Sequence, residues 1–224
     1  MKELERKLDY KFKNNELLKN ALTHSSYANE NRCEGIPSNE RLEFLGDSVL
    51  GFVTAKHLYA IEPTMPEGRM TRLRAELVCE QSLYGVAQDL ELGQYLRMGH
   101  GEDKNGGRKR ASILADAVEA VIAAIFLDGG IEPAGSFIER MVLSPESVEA
   151  HHASDYKTEL QELVQQKPDQ LLRYIAAGES GPDHNKLFLA DVSLNGEIIG
   201  SGSGKTKKEA EQAAAREALK KLTE

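Results

Sequence analysis

Apolar side chains in residues 1–143 recur with the three- to four-residue spacing of amphipathic helices. This spacing covers residues 4–10, 15–22, 42–59, 70–90, 113–127 and 131–142. Glycine- or proline-containing breaks interrupt it at residues 35–37, 62–66 and 99–110, and Gly129-Gly130 closes the fifth segment. Few stretches alternate with a period of two, so this part of the chain is predicted to be all-α.

The pattern changes after residues 144–155 (SPESVEAHHASD), which are polar and nearly devoid of large apolar side chains. A short helix is predicted at 156–166, with strands at 171–176, 187–194 and 197–200. Asn195-Gly196 is a strong hairpin signal. Thr206-Lys207-Lys208-Glu209 is a capping box that opens an Ala-rich helix to residue 222. We therefore predict two domains, 1–148 and 155–224, joined by a linker at 149–154, with an α-β-β-β-α order in the second.

Three glycines, Gly200, Gly202 and Gly204, lie between the predicted hairpin and the capping box. Glycine allows two backbones to approach each other closely, and it is also common in flexible linkers. Their position between two regular elements favours close backbone approach over a linker.

The composition is typical of a folded protein, with 40% hydrophobic and 29% charged residues among 224. The longest nearly apolar run, 117–127, contains Glu119 and is far shorter than the roughly 20 residues of a membrane span, so we expect no membrane partner. The first residues, MKELERKLDYKFK, lack the apolar core of a secretory signal. Two isolated cysteines, Cys33 and Cys79, fit a reducing compartment, and we expect a cytoplasmic location. The net charge of −8 does not exclude one local basic surface.

Two predicted helices carry acidic side chains among mostly apolar neighbours. In the first, Glu40, Glu43 and Asp47 fall within an arc of about 60°, with no Lys or Arg on that stripe. In residues 113–127 the only charges are Asp116 and Glu119, three positions apart. A solvated face is the usual explanation of an acidic pair, but such a face would carry more polar residues. Because desolvated carboxylates are costly, a bound cation is favoured. A site of carboxylates without His or Cys favours Mg²⁺ or Mn²⁺.

The opposite face of the first of these helices is apolar, and we expect it to be formed by Leu42, Leu45, Val49, Phe52 and Val53.

Basic segments near these acids and in the second domain are suited to a polyanion. One comprises Arg69, Arg72 and Arg74, and another is residues 106–110 (GGRKR). In the second domain, Lys205, Lys207 and Lys208 surround the start of the last helix, where cations oppose the helix dipole. Together with the backbone N–H groups of the helix start, they would form a phosphate site. An ordinary solvated charge run remains the alternative for each segment.

Several motifs resemble the bacterial ribonuclease III family. Residues 39–50 (NERLEFLGDSVL) are similar to its signature, and the agreement continues through Pro66-Glu67-Gly68 and residues 112–120 (SILADAVEA). Residues 156–162 (YKTELQE) and 204–212 (GKTKKEAEQ) resemble its double-stranded RNA-binding domain. The resemblance covers essentially the whole chain. It implies an all-α ribonuclease III endonuclease domain followed by an α-β-β-β-α double-stranded RNA-binding domain.

The resemblance also implies roles for individual residues. The metal-site acids correspond to Glu43, Asp47, Asp116 and Glu119, of which Asp47 and Glu119 match the catalytic positions, and Glu40 and Glu67 match two supporting acids. RNA binding is implied for Thr158, Gln161, Glu162 and Gln165 in one minor groove, for His184 in a second, and for Lys205, Lys207 and Lys208 on the phosphates between them. To these we add Arg108 and Lys109 of the basic segment before the second acidic helix.

By this resemblance the protein is a homodimeric, Mg²⁺-dependent endoribonuclease, with Mn²⁺ as a substitute and without an organic cofactor. It would cut both strands of double-stranded RNA, leaving 5′-phosphate and 3′-hydroxyl ends with two-nucleotide 3′ overhangs, in the processing of ribosomal RNA precursors and other structured RNAs. The alternative is a non-cleaving double-stranded RNA-binding regulator, which loss of a metal-site acid would favour, and none is lost. A nucleotide pyrophosphohydrolase is a third reading, against which the RNA-binding module argues.

Overall fold

The computed structural model describes residues 1–61, 63–144, 156–180 and 186–223. The chain divides into two compact units, Met1–Val148 and Glu149–Glu224. The predicted linker, residues 149–154, lies outside the described residues. Among the helices that the structure describes, none is both long enough and apolar enough to cross a membrane.

The first unit is built from helices, as the apolar spacing predicts. They are α1 (Lys2–Leu8), α2 (Asn15–Ala21), α3 (Ser25–Glu30), α4 (Glu40–Ile61), α5 (Glu67–Leu77), α6 (Glu80–Asp89), α7 (His100–Lys104), α8 (Ala111–Gly129) and α9 (Ile131–Met141). Short 3₁₀ turns lie at Arg32–Glu34, Leu92–Gln94 and Gly107–Lys109.

The helix boundaries differ from the sequence prediction in two respects. The predicted segment 70–90 is divided into α5 and α6, because Cys79 has an extended backbone (φ −70°, ψ 160°) and precedes a new helix. The short helices α3 and α7 occupy segments in which no helix was predicted. Both are below seven residues, too short for apolar spacing to reveal them.

Helix α8 lies at the centre of the first unit. Its residues from Ile113 to Ile125 are buried except for Asp116 and Glu119, which are half-buried. The helix contacts α2, α4, α6 and α9. A helix that is apolar on nearly all sides is stable only when other helices surround it. The two acids of α8 therefore belong to the most enclosed helix of the unit.

The second unit has the predicted α-β-β-β-α order: α10 (Tyr156–Gln165), β1 (Leu172–Ser180), β2 (Leu187–Leu194), β3 (Glu197–Gly204) and α11 (Lys207–Thr223). The strands form an antiparallel sheet in the order β1-β2-β3. The hairpin prediction is confirmed, because Asn195 and Gly196 both have positive φ (54° and 93°), as a type I′ turn requires. Strands β1 and β3 each extend four residues beyond the predicted ends, to Ser180 and Gly204.

Helix α11 covers β2 and β3 at very short range, as the glycine pattern predicts. A Cβ atom at Gly200 or Gly202 would overlap the backbone of Ala214, so only glycine fits there. Thr206 caps α11 as predicted, since the Glu209 N–H donates to Thr206 Oγ1 (3.1 Å), while the Glu209 carboxylate accepts the N–H of Lys205 (2.8 Å) rather than that of Thr206. The glycines therefore allow the middle of α11 to lie directly against the sheet.

Candidate functional site

Helices α4 and α8 touch through their backbones at Gly46. A Cβ atom at this position would overlap the carbonyl oxygen of Glu119. Glycine inside a helix costs about 0.5–1 kcal/mol relative to alanine, and here it permits a contact that no other residue allows. Because Glu43 and Asp47 flank Gly46 on α4, this contact brings their side chains near Glu119.

Three half-buried carboxylates converge beside this contact. Glu43 from α4 and Asp116 and Glu119 from α8 each present an oxygen within 4.8 Å of the others. Two ligands on opposite sides of one Mg²⁺ ion lie about 4.2 Å apart, so this spacing fits ligands of a single small cation. The donor atoms are all carboxylate oxygens, which favour a hard ion over zinc.

The electrostatics of the cluster also favour a cation. Burial, followed by the charges of Asp47, Asp116 and Glu43, raises the pKa of Glu119 to about 8. Burial and neighbouring carboxylates likewise raise the pKa of Glu43. The pKa of Asp116 is raised as well, chiefly by burial. A bound divalent cation would reverse this preference, because it stabilises the ionised form of each carboxyl group.

The other predicted acids lie outside this group of three. Asp47 is exposed and is not one of the three convergent residues. Its charge nevertheless contributes to the raised pKa values of Glu119 and Glu43. Glu40 is exposed at the first residue of α4 and accepts a hydrogen bond from Ser38 Oγ (2.7 Å). Glu67 is exposed at the first residue of α5 and accepts one from Thr71 Oγ1 (3.0 Å).

Two residues near the cluster were missed by sequence reasoning. The charge of Glu80, the first residue of α6, raises the pKa of Asp116, and His24 lowers it. His24 precedes α3, and its Nδ1 atom accepts the Ser26 N–H (3.2 Å). Neither residue shares a helix with the acids, so no spacing pattern in the sequence could have connected them. Gly46, by contrast, carried a signal, as a glycine inside a strongly helical segment.

Arg108 of the basic segment 106–110 makes four hydrogen bonds within the first unit. The Arg108 guanidinium donates to both carboxylate oxygens of Asp103 (2.7 and 3.1 Å) and to the carbonyl oxygens of Gly93 and Leu96 (2.9 and 2.7 Å). These hydrogen bonds hold the loop together, and they engage the guanidinium group that the sequence predicted as an RNA contact. Lys109 is exposed.

The predicted RNA-binding residues of the second unit lie on α10 and at the start of α11. On α10, Gln161 and Gln165 are exposed, whereas Thr158 and Glu162 are half-buried. The three lysines before and within the first turn of α11 are all exposed: Lys205, Lys207 and Lys208. His184 lies outside the described residues.

Comparison with known proteins gives consistent matches in both units. The family model Ribonuclease-III-like matches residues 14–146, and that of the double-stranded RNA binding motif matches residues 156–222. Ribonuclease 3 of Listeria monocytogenes is 49% identical over 221 residues, which cover 98% of this chain and 96% of the relative. Ribonuclease 3 of Desulforamulus reducens is 50% identical over 221 residues, covering 98% of this chain and 90% of the relative.

A solved structure agrees with the first unit. The nuclease domain of ribonuclease III from Campylobacter jejuni is similar with a TM-score of 0.59 and 42% sequence identity, covering 62% of this chain and 94% of that domain. The two bacterial relatives are about half identical to this chain over almost their full length, so the match also includes the second unit. The chain therefore belongs to the ribonuclease III family of double-strand-specific endoribonucleases.

Proposed function

We propose that this protein hydrolyses phosphodiester bonds in both strands of double-stranded RNA with Mg²⁺, for which Mn²⁺ substitutes. The observation that carries the proposal is the convergence of Glu43, Asp116 and Glu119 within 4.8 Å on two helices in backbone contact. Carboxylates that are half-buried together destabilise one another unless a cation joins them. Ribonucleases of this family are typically metal-dependent, and the donor set here is the one that Mg²⁺ prefers.

We assign the acids as follows. Glu43, Asp116 and Glu119, which converge, are proposed to form the metal site together with Asp47, and Asp47 and Glu119 are proposed as the catalytic residues. The supporting acids are Glu40 and Glu67. When bound, Mg²⁺ lowers the pKa of a coordinated water and stabilises charge on the phosphate. In the hydrolysis the water oxygen bonds to phosphorus and the bond to the 3′ oxygen breaks, giving 5′-phosphate and 3′-hydroxyl ends.

The second unit supplies the affinity for duplex RNA. We propose that α10 enters a minor groove with Thr158, Gln161, Glu162 and Gln165, that His184 enters a second, and that Lys205, Lys207 and Lys208 bind the phosphates between them. Modules of this type read the shape and the 2′-hydroxyl groups of A-form RNA rather than its sequence. We place the domain limits at 1–148 and 155–224, with the linker at 149–154. Lys109 remains a candidate phosphate contact in the first unit.

We further propose a homodimer. The described residues of one chain contain one such acid cluster, and cutting two strands together requires two clusters. On α4, the side chain of Phe44 is 78% exposed and that of Phe52 is 59% exposed, although Phe52 was expected on the buried face. Phe52 borders a groove of about 530 Å³, also lined by Asp47, Ser48, Gly51, Ala55, Arg74 and Val78. Phe44 lies one helical turn before Ser48, so a second copy covering this groove and that turn of α4 would bury both aromatic rings beside Asp47.

The dimer can be tested through Phe44. Replacing a largely exposed aromatic side chain by serine removes apolar area from the proposed interface and leaves the core of each chain intact. Sedimentation at micromolar concentration should show the parent protein as a dimer and Phe44→Ser as a monomer. A parent protein that sediments as a monomer would refute the shared arrangement.

The catalytic proposal is tested by incubating the full chain with labelled duplex RNA, with and without Mg²⁺, and sizing the products. We expect cleavage of both strands only with Mg²⁺, with two-nucleotide 3′ overhangs. Duplex binding without cleavage in Mg²⁺ or Mn²⁺ would favour the non-cleaving regulator instead. Turnover of a nucleoside triphosphate in place of duplex RNA would favour the pyrophosphohydrolase. In the cell we place this activity in the cytoplasm, on ribosomal RNA precursors and other structured RNAs.

A further inference from the structure

The first turn of α10 is attached to its neighbours by polar contacts. The Lys157 Nζ atom lies 2.6 Å from the Glu211 carboxylate on α11 and 4.4 Å from the centre of the Tyr174 ring on β1. The Lys157 backbone N–H donates to Gln212 Oε1 (2.9 Å). Lys157 therefore contacts both α11 and β1.

The surroundings favour these contacts. The side chains of Lys157 and Glu211 are each only 34% exposed, so their attraction is screened less than that of a fully exposed pair. Burial and the charge of Glu211 raise the pKa of Tyr174 to about 12, which keeps its ring neutral. A neutral ring face attracts an ammonium group.

Lys157 occupies a position from which a lysine would be expected to reach RNA. It directly precedes Thr158 and lies one helical turn before Gln161, both proposed groove contacts. Its ammonium group is nevertheless turned toward α11 and β1. Glu211 in turn follows Lys207 by one helical turn on α11. The ion pair thus joins the helix proposed to read the groove to the helix proposed to bind the phosphates.

We propose that Lys157 is a positioning residue for duplex RNA recognition, which with Glu211 and Tyr174 sets the spacing between α10 and the lysines of α11 and makes no phosphate contact of its own. This inference rests on the proposed RNA-binding function of the second unit. Minor-groove and phosphate contacts are made together only when the two helices are held at one distance. If α10 were loosely held, each binding event would have to order it, and this ordering costs conformational entropy.

The test uses the full chain and compares duplex RNA binding over a range of salt concentrations. Lys157→Gln should weaken binding about three- to tenfold, because one partly buried ion pair and one cation–π contact are lost. The slope of log K against log salt should stay unchanged, because no phosphate contact is removed. In cleavage, KM should rise while kcat stays the same, because the acid cluster lies in the other unit. The control is Lys221→Gln, which removes an ion pair between Lys221 and Glu217 within α11. It should change neither the affinity for duplex RNA nor KM.

The partner residue gives a second, opposite-charge test. Glu211→Gln should weaken binding as Lys157→Gln does, although it removes a negative charge from a polyanion-binding module. Exchanging the two charges, Lys157→Glu with Glu211→Lys, should restore part of the loss. If Lys157→Gln also lowers the melting temperature of the second unit, Lys157→Arg, which keeps the charge and the ring contact, should recover both stability and affinity.

Three outcomes would overturn the inference. One is a slope that falls by about one unit in Lys157→Gln, together with Glu211→Gln binding as tightly as the parent or more tightly, which would make Lys157 a phosphate contact. The others are unchanged binding by Lys157→Gln and a charge exchange that restores nothing. Failure of the parent chain to bind duplex RNA would instead refute the proposed function, so the two failures are distinguishable.

Discussion

Neutralising Glu119 should stabilise the metal-free protein while abolishing its activity. Because the pKa of Glu119 in the folded protein is about 8, above its ordinary value of 4.5, the folded state keeps a proton that the unfolded state releases. Stability should therefore fall as the pH rises from about 4.5 to about 8. Glu119→Gln removes this dependence, because glutamine has nearly the same shape and carries no charge.

The size of the effect follows from the shift in pKa. At pH 8 the difference between a pKa of about 8 and one of 4.5 corresponds to at most about 4 kcal/mol, at 1.36 kcal/mol per pKa unit. Glu119 is only half-buried, so screening by solvent reduces the expected gain to about 1–2 kcal/mol. For a unit of this size that gain raises the melting temperature by about 3–6 °C.

The assay is thermal unfolding in EDTA at pH 5 and at pH 8, with duplex cleavage in Mg²⁺ measured in parallel. Glu119→Gln should be more stable than the parent at pH 8 and nearly equal to it at pH 5. Mg²⁺ should raise the melting temperature of the parent far more than that of the variant, since ligands stabilise the state that binds them. Glu139→Gln, an exposed acid on α9, is the matched control and should change none of these results. A variant no more stable than the parent at pH 8, or one that cleaves normally, would refute the reasoning.

Three further predictions concern other parts of the molecule. Gly46→Ala should force α4 and α8 apart, lower the free energy of unfolding by at least about 1–3 kcal/mol and abolish cleavage, as unfolding and activity assays would show. Gly135→Ala on α9, where an added Cβ atom meets open space, is the control and should have neither effect. Replacing Lys207 and Lys208 by Gln should weaken duplex binding and make its salt slope shallower by roughly one to two units, equally for unrelated sequences, and an unchanged slope would contradict the phosphate contact. Arg108→Gln should destabilise the first unit by about 1–3 kcal/mol, because two carbonyl groups lose their donor, and should leave that slope unchanged.

Local features of the sequence predicted local structure well. The hairpin at Asn195-Gly196 and the capping box at Thr206 each depend on residues within four positions of one another. The same holds for the acids on each helix, whose three- or four-residue spacing places them on one face. The close approach at Gly200, Gly202 and Gly204 was predicted from their position between two regular elements, although the strand that carries them runs further than predicted, to Gly204.

Contacts between distant segments could not be predicted in the same way. The sequence placed Glu40, Glu43 and Asp47 on one face of α4, and of these three only Glu43 lies with Asp116 and Glu119 in the convergent group. That choice depends on how α4 crosses α8 at Gly46. Arg108 lies in a basic segment that suggests an RNA contact. Its hydrogen bonds to the carbonyl oxygens of Gly93 and Leu96 involve residues 12 to 15 positions away, so the sequence did not indicate them.

The sequence by itself determined the two-part architecture, the helical and mixed classes of the parts, and the residue types that carry the chemistry. These follow from periodicity, turn chemistry and the unusual presence of acids on apolar helices, all of which act over a few residues. The tertiary structure alone decided which carboxylates converge, that Phe52 is exposed on α4 and that Lys157 turns toward Glu211. These depend on the packing of elements far apart in the chain, where a shift of one helix by an ångström or so changes which side chains meet.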